Sequence, residues 1–283
     1  MIADIRLRKF DMKTLKAGSV VVLIGKRETG KSFLVRDILY NNKDMPIGTI
    51  ISGTEGANSF YSHMIPSIYI YGEYEPQIID NVIKRQILVR KEMKKEVAMR
   101  GHTNIDPRAF LILDDCLYDA SWTKDKNVRS LFMNGRHYNE TFIITMQYCM
   151  GIPPSLRTNV DFVFLLRENL INNRKKLYEQ YAGMFPSFDI FCQVMDQCTE
   201  NYECIVIHNN AKSNKLEDQV FWYKASDHED FRVGAEEYWE YHTRNNDEQD
   251  EEEHYHEFDT RDPRARRRGA RVNIHKYDEQ GAD

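Results

Sequence analysis

Gly25-Lys26-Arg27-Glu28-Thr29-Gly30-Lys31-Ser32 spaces a glycine four residues ahead of Gly-Lys-Ser. That arrangement suits one chemistry, the gripping of a polyphosphate. Glycines let backbone N–H groups curl around phosphate oxygens, and a helix starting at the loop's end adds partial positive charge. Lys31 would reach the β- and γ-phosphates, and the Ser32 hydroxyl would bind Mg²⁺. The expected phosphate-binding set is residues 25–32 with Phe33 beside them. By itself the loop establishes only that a triphosphate is bound.

Hydrolysis needs a carboxylate facing such a loop. Ala109-Phe110-Leu111-Ile112-Leu113 is a continuous apolar run ending in Asp114-Asp115. This is the shape of a buried central strand that delivers an acid beside the loop, where Asp114 would hold Mg²⁺ through water. Asp115 would polarise the attacking water. Thr141 to Met146 reads as the next strand, and Gln147 at its end fits a sensor of the γ-phosphate or its water. Apolar strands ending in Asp or Gln are ordinary on their own; the loop gives these two their meaning.

The elements that must position these groups are legible as periodicities. Val20–Ile24, bounded by Gly18, reads as a buried parallel strand, and Leu34, Val35, Ile38 and Leu39 recur at helical spacing behind the loop. Strands are expected at 48–53 and 67–71. Pro76 opens a long helical pattern in which Ile79, Ile83 and Ile87 are four apart. Its other face carries Lys84, Arg85, Arg90, Lys91, Lys94, Lys95 and Arg100, with Glu92 and Glu96 between them: either a solvated face or one that contacts phosphate. A short helix around 128–132 is expected to stop at Gly135. Buried strand 162–166, helices at about 169–182 and 187–198, and a hairpin of 203–207 with 219–223 follow. Residues 1–17 read as a short strand or an arm on the sheet.

The chain's 283 residues allow one large domain or two small ones, enough to bury roughly 75% of the unfolded surface. The net charge of −5 conceals an uneven split. Of the 44 acidic and 39 basic residues, 12 and 8 lie in 244–283, which leaves 32 and 31 for residues 1–243. The body is nearly neutral, so any nucleic-acid surface must be a local patch. Asp247–Asp259 brings eight acids and Arg261–Arg271 six arginines with few apolar residues, so 244–283 is expected to be a disordered tail following an ATPase domain at 1–243. The tail's two blocks could bind partners or each other. The five cysteines lack the paired spacing of zinc sites and read as reduced thiols. No apolar run of about 18 residues and no signal-peptide core is present, so no membrane span and an intracellular life are expected.

Candidate strands between Lys31 and Asp114 favour P-loop ATPases in which an additional strand separates the loop strand from the acidic strand. The expected fold is α/β, a RecA-like, mostly parallel central sheet flanked by helices. No Asn-Lys-x-Asp base-reading motif of small GTPases is found, while nucleoside or polynucleotide kinases stay open. The ordered set Val21-Val22-Leu23-Ile24-Gly25-Lys26-Arg27, Gly30-Lys31-Ser32, Leu111-Ile112-Leu113-Asp114-Asp115-Cys116, Gly135-Arg136-His137, Ile144-Thr145-Met146-Gln147-Tyr148 and Pro153-Pro154-Ser155-Leu156-Arg157-Thr158-Asn159 goes further. It resembles the genome-packaging ATPases of nucleocytoplasmic large DNA viruses, poxvirus-type members of the FtsK–HerA superfamily, over residues 4 to 225. The resemblance implies an ATP-driven translocase that moves double-stranded DNA into a capsid. It implies a ring of identical subunits, ATP and Mg²⁺ as cofactors, capsid or vertex proteins as partners, and residence in the virion or a cytoplasmic viral factory. Other DNA-pumping work by the same motor is the alternative. Roles carry over to Lys31 and Ser32 at phosphate and metal, Asp114 at the metal, Asp115 as catalytic acid and Gln147 as sensor. The arginine finger given to a neighbouring subunit falls first on Arg136 and second on Arg157. Asp115 departs from the Glu usual in the superfamily, so another acid such as Glu55 is a candidate to assist.

Overall fold

The strands are β1 (Arg8–Lys9), β2 (Val20–Ile24), β3 (Ile47–Ser52), β4 (Ile70–Tyr71), β5 (Ala109–Asp114), β6 (Glu140–Met146), β7 (Phe162–Leu165), β8 (Glu203–His208) and β9 (Val220–Lys224). The helices are α1 (Lys31–Asn41), α2 (Glu55–Asn58), α3 (Pro76–Arg100), α4 (Lys126–Tyr138), α5 (Pro154–Arg157), α6 (Ile171–Tyr181), α7 (Phe188–Cys198), α8 (Leu216–Gln219) and α9 (Glu236–Gln249). This computed structural model describes residues 5–115 and 120–249. Cys116 and the tail from 250 onward, expected to be disordered, lie outside the described residues, and α9 runs across the composition break at 243.

The strands form one sheet in the order β1-β9-β8-β7-β2-β6-β5-β3-β4. All pairings are parallel except those of β8, which runs antiparallel to both β7 and β9. The expected mostly parallel α/β fold is therefore present, and β6 is the additional strand between the loop strand β2 and the acidic strand β5. Strand alternation explains the layers. Val20, Val22 and Ile24 face a core that includes Ile79 of α3, Leu131 of α4, Leu177 of α6 and Phe191 of α7. Val21 and Leu23 face the opposite core, with Leu34, Val35 and Ile38 of α1. A strand covered on both sides has no polar face, and β2 is buried at every position.

Two expectations are corrected. The strand expected at 67–71 is mostly a single 3₁₀ turn, Ser67–Tyr69, with only Ile70–Tyr71 paired at the sheet edge. Gly135 does not stop its helix: α4 continues to Tyr138 and ends at Asn139, whose φ of +55° makes the left-handed cap. Gly135 serves close packing instead, since a methyl group there would stand 3.3 Å from the Glu140 carbonyl oxygen. Cys149 and Cys204 are buried free thiols.

Two polar features inside the fold matter below. On α1, buried Asp37 accepts hydrogen bonds from Tyr223 Oη at 2.5 Å and Asn41 Nδ2 at 3.1 Å, and lies 2.5 Å from His228 Nε2. His228 in turn stacks on Tyr40 at 3.7 Å, and Arg36 pairs with Asp227 and Asp230. This ties α1 to the segment that follows β9. The second feature is Glu140 at the start of β6, fully buried 3.5 Å from Arg85 of α3.

Burial pushes the Glu140 carboxyl up to about 7, against the pull of the Arg85 guanidinium. Because this value is above the ordinary 4.5, the unfolded chain releases the proton first as pH rises. Stability therefore falls between pH 4.5 and 7, by up to about 3 kcal/mol, and levels off above that. In Glu140→Gln this component is absent. Melting curves of the variant should gain on the wild type across that window; parallel curves would refute the assignment.

Candidate active site

Strand register brings the chemistry to one end of the sheet. Ile24 pairs with Met146, Ser52 with Asp114 and Leu113 with Ile144, so the C-terminal ends of β2, β3, β5 and β6 stand side by side. In a parallel sheet this is where ligands bind. The loop between β2 and α1 opens there into a cleft of about 1030 Å³. Lys26, Arg27, Glu28, Gly30, Lys31, Ser32 and Phe33 line it, facing Asp114 and Asp115. Gly25 and Thr29 are not part of the wall; the Thr29 hydroxyl donates to the Lys26 carbonyl at 2.7 Å and braces the loop from within.

The loop curls through left-handed backbone at Glu28 (φ +62°) and Gly30 (φ +98°). At Gly30 a side chain would be strained and would also meet Tyr202. Lys31, the first residue of α1, bends back so that Nζ donates to the carbonyls of Gly25 at 2.5 Å and Lys26 at 2.9 Å. Burial holds its ammonium below the usual lysine value, with Asp115 and Asp114 acting against that. Lys26 pairs with Glu168 at 2.6 Å, beyond β7. Burial works to raise the Glu168 carboxyl, but Lys26, the Leu170 amide and Asn173 outweigh it and leave it below the carboxylate norm.

On the other wall, Asp114 and Asp115 are divided by environment. Asp114 is buried and accepts from Thr145 Oγ1 at 2.6 Å. Asp115 follows in left-handed backbone at φ +50° and is half-buried. Its own N–H donates to the same Thr145 oxygen at 3.1 Å. Gln147 then closes on Asp115 from β6, with Nε2 2.7 and 2.8 Å from the two carboxylate oxygens. Thr145, to which no individual role is assigned by the sequence, is the residue that ties both acids to β6.

Ser32 and Asp114 offer a hydroxyl and a carboxylate to the same cleft, an all-oxygen set that suits Mg²⁺. No group of three or more His, Cys, Asp or Glu side chains among the described residues could hold a metal, so phosphate oxygens and water must complete such a shell.

The remaining candidates do not join the cleft. Glu55 accepts from the backbone amides of Tyr61 and Ser62, at 2.9 Å each, which makes it a brace for the 55–62 turn. Arg136 sits at the opposite end of the sheet, ion-paired with buried Asp161 and beside Gly18, which precedes β2. Arg157 bonds to Gln180 and to the Ile152 carbonyl at 3.1 Å, and stacks over Tyr181 at 5.2 Å. Conversely, Thr54, Asn58, Phe60, Tyr202, Lys224, Ala225 and Asp227 line the cleft without any sequence signal that marked them.

Over 239 residues, 83% of this chain and 82% of the relative, the sequence is 40% identical to uncharacterized protein L437 of Acanthamoeba polyphaga mimivirus. The chain belongs to that protein's family. Other members are uncharacterized protein 075L of Invertebrate iridescent virus 6, at 40% identity over 79% of this chain and 84% of the relative, and uncharacterized protein 015R of Frog virus 3, at 36% over 85% and 72%. The family is thus one of nucleocytoplasmic large DNA viruses. No protein-family model matches the chain. Among solved structures, the genome-packaging NTPase B204 of Sulfolobus turreted icosahedral virus 2, bound to AMP, aligns over 74% of this chain and 98% of its own. Its TM-score is 0.48 and its identity 14%, and nothing about activity follows from a likeness of that size. No helix among the described residues is long and apolar enough to cross a membrane.

Proposed function

We propose that this family member is an ATP hydrolase that drives double-stranded DNA into a viral capsid. The carrying observation is the Asp115–Gln147 pair set beside Asp114, across the cleft from Lys31. A phosphate-binding loop alone serves any nucleotide enzyme. A second acid held by an amide from the neighbouring strand suits the capture and polarisation of water, and so transfer to water rather than to a sugar hydroxyl. Gln147 fixes the Asp115 carboxylate and keeps it from rotating freely. Thr145 leaves one Asp114 oxygen free of that contact, and with Ser32 this residue would hold Mg²⁺, whose charge would stabilise the phosphoryl group in flight.

The site also supports a neighbour's participation. Arg136 is well exposed even though it is paired with Asp161, so it is available to an adjacent subunit, whereas Arg157 is committed to contacts within its own chain. Arg136 is thus our candidate for the arginine finger, in a ring where each site is completed by the next subunit. DNA would be held through phosphates without sequence reading. The surface best suited to it is the second half of α3, whose core contacts end at Gln86 and whose residues 87–100 extend roughly 20 Å further with their lysines and arginines. Virion or viral-factory residence and contact with capsid or vertex proteins follow from this reading.

The test is phosphate release with and without duplex DNA, read against oligomeric state by light scattering. DNA should raise turnover of the assembled form, and the stimulation should fade as salt increases. Equal rates in monomer and assembly without any DNA effect would overturn the translocase reading. Transfer of labelled phosphate to a hydroxyl acceptor would replace it with a kinase.

A further inference from the structure

We propose that Tyr202 is the purine-stacking residue of the cleft, an assignment that rests on the nucleotide-binding reading above. The sheet order locates the need for such a group. Asp114 and Asp115 end β5, two strands to one side of β2, while Tyr202 immediately precedes β8, two strands to the other side. A nucleotide whose last phosphate meets the acids therefore extends its base across the loop toward β8 and β9. Tyr202 lines the cleft together with Lys224, Ala225 and Asp227 of that side and with the aromatic rings of Phe33 and Phe60, and of these rings Tyr202 is the one that comes from the turn leading into β8.

The local backbone sets the ring there at some cost. Glu203 N–H donates to the Glu200 carbonyl at 2.9 Å and closes a tight turn. Both central residues are left-handed, Asn201 at φ +51° and Tyr202 at φ +64°. Asparagine tolerates that region, but a bulky ring does not, and such strain concentrates at ligand sites. The turn lays Tyr202 against the loop, where a methyl group at Gly30 would stand 3.3 Å from its Cδ1. The rest of the ring remains free: the residue is 69% exposed, although a tyrosine of this size ordinarily finds a packed place. One edge against the phosphate loop and one open face make a stacking platform. Stacking tolerates any base but grows with ring overlap, so the platform favours purines over pyrimidines.

Calorimetric titration of the full chain with ATP, CTP and inorganic tripolyphosphate separates the possibilities. Wild type should bind ATP more tightly than CTP. Tyr202→Asn, which suits the left-handed turn and so spares the fold, should weaken ATP about tenfold, remove the ATP–CTP difference and leave tripolyphosphate unchanged. Tyr202→Phe should match wild type, and Lys31→Ala should lose affinity for both ATP and tripolyphosphate. Wild-type ATP affinity in Tyr202→Asn would overturn the assignment, as would an equal loss for tripolyphosphate, which would mean that the ring only shapes the loop. A wild-type chain that binds neither ATP nor tripolyphosphate would overturn the nucleotide reading itself.

Discussion

Lys31→Ala should lower ATP turnover by about 10²–10³-fold while the folded structure survives. The size follows from the ammonium's setting. It is partly buried, aimed across the loop's own carbonyls, and is the loop cation closest in chemistry to the transferred phosphoryl group. Removing one member of a desolvated charge pair costs on the order of 2–5 kcal/mol, or several decades at about 1.4 kcal/mol each. Stability should change little or rise, because the substitution deletes a charge that burial disfavours. Arginine is no substitute, since its planar fork is longer and cannot act as a compact point charge. Phosphate release and a melting curve on the same preparation make the check. Activity within twofold of wild type would remove Lys31 from the mechanism.

Asp115→Asn and Gln147→Ala should each reduce turnover, the first by about 10²–10⁴-fold, as expected for loss of a general base. The two losses should not add. Gln147 reaches the chemistry through both oxygens of the Asp115 carboxylate, so once the carboxylate is gone the amide has nothing to orient. The double variant should therefore be no slower than Asp115→Asn alone. Full additivity in that cycle would show that Gln147 acts independently, and an active Asp115→Asn would pass the role of base to another group.

Most of the candidate site's geometry was legible because it is local in sequence. Residues 25–33 and 109–115 each carry their chemistry and the element that positions it within one short stretch. Gln147 was legible too, since a polar residue at the end of an apolar strand has a fixed place at the strand's carboxyl end. Thr145 was not, because a β-branched residue inside a strand looks the same whether it fills space or holds the Asp114 carboxylate and the Asp115 amide. Tyr202 was invisible for a different reason: its position depends on the antiparallel return of β8, and no local pattern reports which loop a distant turn will touch. Gly135 was misread because a glycine that permits close approach and one that ends a helix look alike until the neighbouring strand is placed. Glu55 is held by the Tyr61 and Ser62 amides of a turn, a contact no local pattern in the sequence displays.

The bonding of Asp37 has a mechanical consequence. Pulling the segment after β9 away from α1 would strip His228 from a carboxylate that has almost no access to water, leaving Asp37 with Tyr223 and Asn41 alone, and a lost buried hydrogen bond is costly. The first helix and the segment that follows β9 are thus held together by His228, Arg36 and Tyr40 as well as by Asp37. Lys31 begins that helix, so the loop proposed to hold phosphate is braced, through α1, by the segment that follows β9.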